Sequence, residues 1–331
     1  MDRLEIDDAE KTAISSLLDE CEEQFRAQGP ATFIDNAPIL AHKLPRSLRS
    51  TINEFRLGRR SGLMVLGGHP MDQERIGPTP PHWRDAEELT SALREELLLV
   101  LYGSLLGDLF GWTTQQNGKL IHDVIPIRGH EEEQLGSSST ALLTWHTEDA
   151  FHPLRSDYLL FACLRNPYAA ATTFGLIDDV VLSDKAKALL FEGRYVIQPD
   201  ESHKPHHNTS GADFAAIEDM LNNPDRVAVL FGDPAQPYIR IDPYFMSIDD
   251  DDLEAKRAFE ELTTALDDAM FDVNLQPGEY CIIDNHRVVH GRKPFTARHD
   301  GTDRWLKRIS VTSDLRRSRA ARQSLTSRLI H

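Results

Sequence analysis

Cysteine is scarce in this sequence, and long apolar runs are absent from it. The three cysteines, Cys21, Cys163 and Cys281, lie far apart in a chain of 331 residues. Their odd number and wide spacing exclude a disulfide framework and a cysteine-based metal centre, and they indicate a reducing compartment, the cytoplasm. No apolar run approaches the roughly 18 residues of a membrane-spanning helix. The acidic first residues, MDRLEIDD, also differ from a secretion signal, which begins with positive charge.

Positive charge is also in short supply. The chain has 36 Lys and Arg against 53 Asp and Glu, which gives a formal net charge of −17. An acidic surface repels nucleic acid and anionic membranes, so we expect neither as a partner. The hydrophobic fraction of 40% is ordinary for a globular protein. Because no internal repeat or clear boundary divides the sequence, we predict a single domain over residues 1–331.

Hydrophobic spacing separates a helical first part of the chain from a β-rich remainder. Residues 1–110 have apolar positions at helical intervals, including a long helix that we predict from Asp85 to Leu106. Short apolar runs follow, beginning with a hairpin predicted around the Asn117-Gly118 turn. The pattern predicts a mainly β fold with α: a double-stranded β-helix, or jelly roll, at 111–315, with an N-terminal helical layer and surface helices.

Two polar segments lie outside this regular pattern. Residues 199–213 contain His203, His206 and His207 but no apolar periodicity. Three histidines could form a metal site, but a loop without apolar strand residues would not fix their geometry. We therefore predict a mobile, lid-like loop with solvated histidines. The tail, 316–331, is rich in arginine, and we interpret it as a basic surface helix.

The sequence TWHTED at 144–149 suggests a metal site. His146 and Glu148 are two residues apart, so in a strand both side chains project from the same face. An imidazole and a carboxylate need a third ligand, and His290, in DNHRVVHGR at 284–292, is the best candidate. Two histidines and one carboxylate on one side of a metal are typical of non-haem Fe(II) oxygenases, in which the other positions stay open for substrate and dioxygen.

A pair of arginines follows the distal histidine. Arg304 and Arg308 are four apart, an even spacing that puts both on one face of a strand. Each guanidinium can bind a carboxylate in a bidentate manner. A metal-chelating keto acid and an amino-acid substrate would supply two such carboxylates. The alternative is a solvated basic strand face, which the nearby metal motif makes less attractive.

These motifs, together with FTARHDGTDRWLKR at 295–308, give the sequence a specific resemblance. It resembles the clavaminate-synthase-like group of Fe(II)/2-oxoglutarate oxygenases, which includes asparagine oxygenase, the viomycin-pathway arginine hydroxylase and free-lysine hydroxylases. The resemblance implies that His146, Glu148 and His290 bind Fe(II). It also implies that Arg304, fourteen residues after His290, binds the distal carboxylate of 2-oxoglutarate, assisted by Thr173 or Thr172.

The resemblance also implies a substrate site. Arg308 would bind the α-carboxylate of an amino acid, and Glu148 with Gln116 or Gln115 would bind its α-amino group. Asp242 would contact the side chain. Arginine hydroxylases of this group often have a second acid two positions later, where this sequence has Tyr244. The identity of the side chain therefore stays open.

The expected reaction is hydroxylation of an unactivated C3 or C4 carbon of a free L-amino acid with a basic or amide side chain, such as arginine, lysine or a derivative. It would be coupled to decarboxylation of 2-oxoglutarate to succinate and CO2, with O2 as the second cosubstrate. Glu148 favours hydroxylation over halogenation, because halogenases of this fold class leave that ligand position to chloride. Desaturation and a modified or carrier-bound substrate remain alternatives. A zinc hydrolase and a metal-free barrel that binds a small acid are more remote ones.

Overall fold

The computed structural model describes residues 1–86, 91–208 and 213–331. Its α-helices are α1 Asp8–Gln28, α2 Pro30–Ala41, α3 Arg46–Arg56, α4 Gln73–Ile76, α5 Leu93–Ser104, α6 Asp184–Leu190, α7 Ala215–Asn222 and α8 Leu253–Ala269. Its strands are β1 Asp2–Glu5, β2 Leu63–Gly67, β3 Asp108–Trp112, β4 Ile121–Val124, β5 Leu143–His146, β6 Tyr158–Arg165, β7 Thr172–Leu176, β8 Tyr195–Ile197, β9 Arg226–Val227, β10 Leu230–Asp233, β11 Gln236–Ile239, β12 Met246–Ile248, β13 Phe271–Val273, β14 Tyr280–Asp284, β15 Val288–Arg292, β16 Trp305–Thr312 and β17 Leu329–Ile330. Short 3-10 helices cover Gln116–Gly118, Ile177–Asp179, Glu201–His203, Pro205–His207 and Leu315–Ala321.

The N-terminal helices cover the outer face of the largest sheet. Helix α1 starts with a capping box, in which the Asp7 side chain accepts from the Glu10 backbone and Glu10 returns the bond. Its apolar face joins a core that includes α5 and the outward residues of β6, β14 and β16. The predicted helix start at Asp85 was wrong, because Asp85 N bonds His82 O in a turn and α5 begins at Leu93. Residues 87–90 of that predicted helix lie outside the described residues.

The largest sheet has the strand order β1-β2-β14-β6-β16-β3-β17, and β4 also pairs with β16. Strand β3 pairs with 310–312 of β16, and β4 pairs with 306–309, both antiparallel. The two strands therefore form one interrupted line beside β16. The predicted hairpin was wrong, because the Asn117-Gly118 turn belongs to the loop that interrupts this line.

A second sheet, ordered β13-β7-β15-β5, packs against the inner face of the first. Phe161 and Ile283 of the first sheet share an apolar cluster with Phe174 and Val288 of the second. Two further small sheets, β12-β8-β9 and β10-β11, lie in the segment between β7 and α8. The chain is thus a mixed α/β protein with several sheets, and the predicted combination of a β-rich core with outer helices is confirmed at this level.

The tail differs from the predicted surface helix. It forms a 3-10 helix at Leu315–Ala321, and β17 then pairs in parallel with β3 at the edge of the largest sheet. Arg322 is buried and donates to the carbonyl oxygens of Leu325 and Ser327. Within the described ranges, none of the helices is long and apolar enough to cross a membrane.

Candidate active site

The inner sheet brings His146, Glu148 and His290 together. His146 ends β5, and His290 lies directly opposite it in the register of β15. Glu148 follows β5 by two residues and is buried. One ligand atom from each of the three residues lies within 4.8 Å of the others, and His290 Nε2 is 3.4 Å from Glu148 Oε2. The three predicted metal ligands therefore form a single cluster.

The cluster has the donor set and spacing of a transition-metal site. His146 Nδ1 lies 2.8 Å from Thr144 O and donates to it, which leaves Nε2 as its ligand atom. Two ligands about 2.1 Å from one metal are separated by roughly 3.0–3.4 Å, according to the angle between them. The 3.4 Å between His290 Nε2 and Glu148 Oε2 agrees with that separation. The residues present fit one Fe(II)-type ion.

Backbone contacts hold Glu148 in place. Glu148 N donates to Asn285 Oδ1 at 2.8 Å, and Asn285 Nδ2 donates back to Glu148 O at 3.1 Å. The neighbouring Thr147 N bonds Ile241 O at 2.9 Å, so Asp242 lies next to the metal-binding strand. The supporting role of Asn285 was not predicted, although it belongs to the same sequence motif as His290.

Arg304, directly before β16, and Arg308, within it, both line the cavity. Arg304, Leu306 and Arg308 share one face, while Trp305 and Ile309 pack on the opposite face against the helical layer. Arg304 is only 5% exposed, and its Nη2 donates to Thr172 Oγ1 at 3.2 Å. Burial lowers the pKa of Arg304 to about 10, so the group is still a cation at neutral pH.

Arg308 contacts the carboxylate of the His-Glu-His cluster. Its guanidinium donates to Glu148 Oε1, to His122 Nδ1 at 2.8 Å and to Gln115 Oε1 at 3.4 Å. His122 Nε2 lies 3.0 Å from Lys119 O and donates to it, which leaves Nδ1 as the acceptor. Burial alone would raise the pKa of Glu148, but the charges of Arg308 and the two metal-site imidazoles outweigh it and hold the pKa well below its usual range.

The sequence left open the choice between Thr172 and Thr173 and between Gln115 and Gln116, and these residues occupy different positions in the structure. Thr172 lines the cavity with Arg304, whereas Thr173 points to the other side of β7, where its Oγ1 lies beside Gly291. Gln115 is buried near Arg308. Gln116 instead bonds the backbone of Asp123 at both ends of its amide and so closes the loop after β3.

Asp242 lines the same cavity as the metal cluster and both arginines. It is 7% exposed, and its Oδ1 accepts from the backbone N–H groups of Tyr244 and Phe245 at 3.2 and 3.3 Å. Burial raises the pKa of Asp242 to about 6. Tyr244 also lines the cavity, although most of its side chain is exposed.

The segment after β8 contributes residues that sequence reasoning did not assign. Asp200 and Ser202 line the cavity, and Ser202 Oγ accepts from Gln115 Nε2 at 2.7 Å. The prediction that the three histidines are solvated was wrong for His203, which is fully buried between Thr114 and Asp149, at 2.7 and 3.1 Å. It was also wrong for His207, whose side chain is 8% exposed. The only sequence signal was Asp-x-Ser, since Asp200 caps the short helix that carries these residues.

Comparisons with known proteins agree with this geometry. Residues 194–310 match the family described as "Taurine catabolism dioxygenase TauD, TfdA family". The chain is 43% identical to enduracididine beta-hydroxylase of Streptomyces hygroscopicus over 339 residues, covering 99% of each chain. It is 41% identical to the L-ornithine/L-arginine 3-hydroxylase of Catenulispora acidiphila over 343 residues, covering all of both chains.

A solved structure extends the similarity to three dimensions. The non-heme iron oxygenase OrfP, in complex with Fe, succinate and (3S)-hydroxy-L-Arg, superposes with a TM-score of 0.95 at 47% identity, covering all of both chains. Clavaminate synthase 2 of Streptomyces clavuligerus is 32% identical over 85% of this chain and 84% of its own. The predicted resemblance is thereby confirmed: the chain belongs to the clavaminate-synthase-like oxygenases of the TauD/TfdA family.

Proposed function

We propose that this protein hydroxylates C3 or C4 of a free L-amino acid with a basic side chain, coupled to decarboxylation of 2-oxoglutarate to succinate and CO2. One observation carries the proposal: a His-Glu-His cluster, two inward arginines and the buried acid Asp242 line a single cavity. That cavity offers a metal site, binding groups for two carboxylates and an anionic partner for a cation.

His146, Glu148 and His290 would hold Fe(II). When bound together, Fe(II) and 2-oxoglutarate supply the oxygen-activating redox chemistry that places one oxygen atom on the substrate. The protein contributes binding, orientation and exclusion of water. Apolar side chains, including Leu135, Leu143 and Phe161, form part of the cavity wall and limit water around the reacting carbon.

Arg304 would bind the distal carboxylate of 2-oxoglutarate. No carboxylate within the described residues pairs with it, and its Nε has no hydrogen-bond partner among them. A buried cation without a counter-ion is unfavourable unless an anionic ligand binds it. Thr172, which already accepts from Arg304, would add a hydroxyl to the same carboxylate.

The amino-acid substrate would bind between Arg308 and Asp242. Arg308 would hold the α-carboxylate, and Gln115 and Glu148 would receive the α-ammonium group. Asp242 would attract the side-chain cation, and Asp200 adds a second carboxylate to the same cavity. Bound this way, the substrate would have its α-ammonium group beside Glu148 and its side-chain cation at Asp242, with the β and γ carbons between them.

The names of the similar proteins support this substrate class. Enduracididine beta-hydroxylase and the L-ornithine/L-arginine 3-hydroxylase act on amino acids with guanidine or amine groups, and their names specify C3. OrfP has been solved with Fe and alpha-ketoglutaric acid and with Fe and L-homoarginine. These names favour C3 of arginine, ornithine or a cyclic arginine derivative.

The function can be tested by mass spectrometry with Fe(II), ascorbate, 2-oxoglutarate and a panel of free amino acids. We expect succinate together with a 16-Da gain on one basic amino acid, and NMR would then locate the hydroxyl group. His290→Ala should give neither signal, because it removes a metal ligand. Succinate without a hydroxylated amino acid would reject the proposed substrate class. No succinate from iron-loaded protein would reject the reaction itself.

We infer that the two stacked sheets form a double-stranded β-helix, or jelly roll, with the metal cluster between them. We also infer a single oxygenase domain over 1–331, because the cavity draws on residues from β4 through β16 and the N-terminal helices share a core with β16. The segment at 199–213 would act as its lid, of which residues 199–208 and 213 are described.

A further inference from the structure

A second cluster of metal-binding side chains lies outside the cavity described above. It consists of His130, Glu133 and His207, which offer ligand atoms within 4.8 Å of one another. Glu133 Oε2 lies 3.7 Å from His207 Nε2 and 3.8 Å from His130 Nδ1. The two imidazole rings meet edge to face, with centroids 5.0 Å apart.

Within the described residues, three polar atoms of this cluster lack hydrogen-bond partners. The His207 side chain is 8% exposed, and within the described part of the chain neither of its ring nitrogens has a hydrogen-bond partner. Glu133 Oε2 is likewise buried without one. His130 Nδ1 is bonded to Ser137 Oγ at 2.9 Å, a bond that an ion would replace. Buried polar atoms without partners are costly, so their convergence indicates a ligand.

The spacing of these atoms suits a metal ion. Tetrahedral ligands about 2.1 Å from zinc lie roughly 3.4 Å apart. The separations of 3.7 and 3.8 Å need to contract by only a few tenths of an ångström.

We propose that His130, Glu133 and His207 form a second metal site, with the preference of zinc for imidazole and carboxylate ligands. The site joins two walls of the catalytic cavity. His130 and Glu133 belong to the segment whose Leu135 and Gly136 line that cavity, and His207 belongs to the segment that contributes Asp200 and Ser202. A bound ion would tie the lid-like segment to the opposite wall.

Metal stoichiometry tests the proposal independently of turnover. Tag-free protein is dialysed against zinc in excess of the protein, and bound metal is measured by mass spectrometry. Because zinc also suits the His146, Glu148 and His290 cluster, we expect two equivalents for the wild type and one for His290→Ala. His207→Ala and Glu133→Gln should each retain one equivalent. Combined with His290→Ala, either change should lower zinc affinity at least tenfold.

His206→Ala is the matched control, since that neighbouring histidine is 61% exposed and lies outside the proposed ligand set. It should retain two equivalents. If the wild type binds one equivalent of zinc and His290→Ala binds none, the proposal is overturned. The cluster of His130, Glu133 and His207 would then bind water rather than a metal ion. Loss of the second equivalent in His206→Ala, with the equivalent retained in Glu133→Gln, would assign the ion to Glu201, His206 and His207 and would also overturn the proposal.

The proposed tie between the two walls has its own measurement. In the His290→Ala background, zinc should slow proteolytic cleavage within 199–213, and the effect should vanish when His207 is also changed to alanine. If one equivalent of zinc binds but cleavage is equally fast with and without zinc, the ion does not link the two walls of the cavity. Neither result depends on the oxygenase reaction, so failure here is distinct from failure of the proposed function.

Discussion

At the scale of single residues, Arg304, directly before β16, and Arg308, within it, differ in how their charge is balanced. Arg308 has Glu148 beside it and bonds two further side chains. Arg304 is more deeply buried than Arg308, yet among the described residues only the Thr172 hydroxyl accepts a hydrogen bond from it. A buried cation with so little compensation is suited to an anionic ligand, so its removal should affect one cosubstrate selectively.

Arg304→Ala should raise the apparent KM for 2-oxoglutarate sharply. Loss of a buried partner of a carboxylate costs about 2–5 kcal/mol, which corresponds to at least about thirtyfold. Initial rates at varied 2-oxoglutarate measure the change. Arg298→Ala is the control, because Arg298 is exposed and lies over the Tyr168 ring. An unaltered dependence on 2-oxoglutarate in Arg304→Ala would rule out its proposed role.

Asp242→Asn should change which amino acids are accepted without weakening iron binding. The substitution keeps the shape of the side chain but removes the charge that would attract a cation. We expect a fall of about tenfold or more in kcat/KM for basic amino acids, since a charge-assisted hydrogen bond contributes about 1.5–3 kcal/mol. Asp250→Asn, at a fully exposed position, is the control. The same substrate profile in Asp242→Asn and wild type would contradict the assignment.

At the scale of elements, the register of β5 and β15 sets the metal cluster. His146 and His290 are cross-strand partners, and the pairing shifts immediately afterwards, between His290 and Arg292. Gly291 lies at this irregularity, where an added Cβ would come within 2.6 Å of Leu143 O. The strands can therefore approach closely only because this position has no side chain.

Gly291→Ala should weaken iron binding while leaving the protein folded. The new methyl group would push β5 away from β15 and separate His146 from His290. We expect at least a tenfold loss of Fe(II) affinity, measured anaerobically by titration, with a circular dichroism spectrum like that of the wild type. Gly193→Ala is the matched control, since its Cβ would meet nothing closer than 3.5 Å. Wild-type iron affinity in Gly291→Ala would show that the strand spacing is not critical.

At the scale of the whole molecule, buried neutral histidines couple stability to pH. His69 lies between the helical layer and the largest sheet, with Nε2 2.7 Å from Tyr102 Oη and Nδ1 3.0 Å from Gly278 O. Burial lowers its pKa from 6.5 to about 4. The unfolded chain therefore binds a proton between these values that the folded protein excludes, so stability is full above pH 6.5 and is lost as the pH falls towards 4.

The free energy of unfolding should thus fall by about 3 kcal/mol through His69 alone between pH 7 and pH 4. His122, His152 and His286 act in the same direction, since burial lowers the pKa of each. Urea unfolding at pH 7 and pH 5 measures the loss. His69→Gln should flatten the dependence, whereas His206→Gln, at an exposed position, should leave it unchanged. Asp242 and Asp284, whose pKa burial raises to about 6, act in the opposite direction, so the comparison between variants isolates His69. A His69→Gln protein with the same pH dependence as the wild type would contradict this account.

The chemistry-bearing residues of the site could be chosen from the sequence because their signals are local. His146 and Glu148 are close along the chain, and the spacing of Arg304 and Arg308 already places them on one face of a strand. His290 was the best third ligand in its own motif, and family resemblance added Asp242. The structure brings all of these residues to one cavity.

The remaining features depend on contacts between distant segments, which local patterns do not encode. The preference for Thr172 and Gln115 over their neighbours depends on strand register and on the loop after β3. The turn at Asn117-Gly118 has an ordinary hairpin sequence, yet β16 pairs with both flanking strands and prevents the hairpin.

The histidines of the 199–208 segment show the same contrast between local sequence signals and contacts between distant segments. The sequence by itself determined the metal triad, the inward arginines and the acidic surface, because each follows from residue type and short-range spacing. Only the tertiary structure decided that His203 is buried against Asp149 and that His207 meets His130 and Glu133. These side chains come from segments more than fifty residues apart, and only the packing of the segments brings them together.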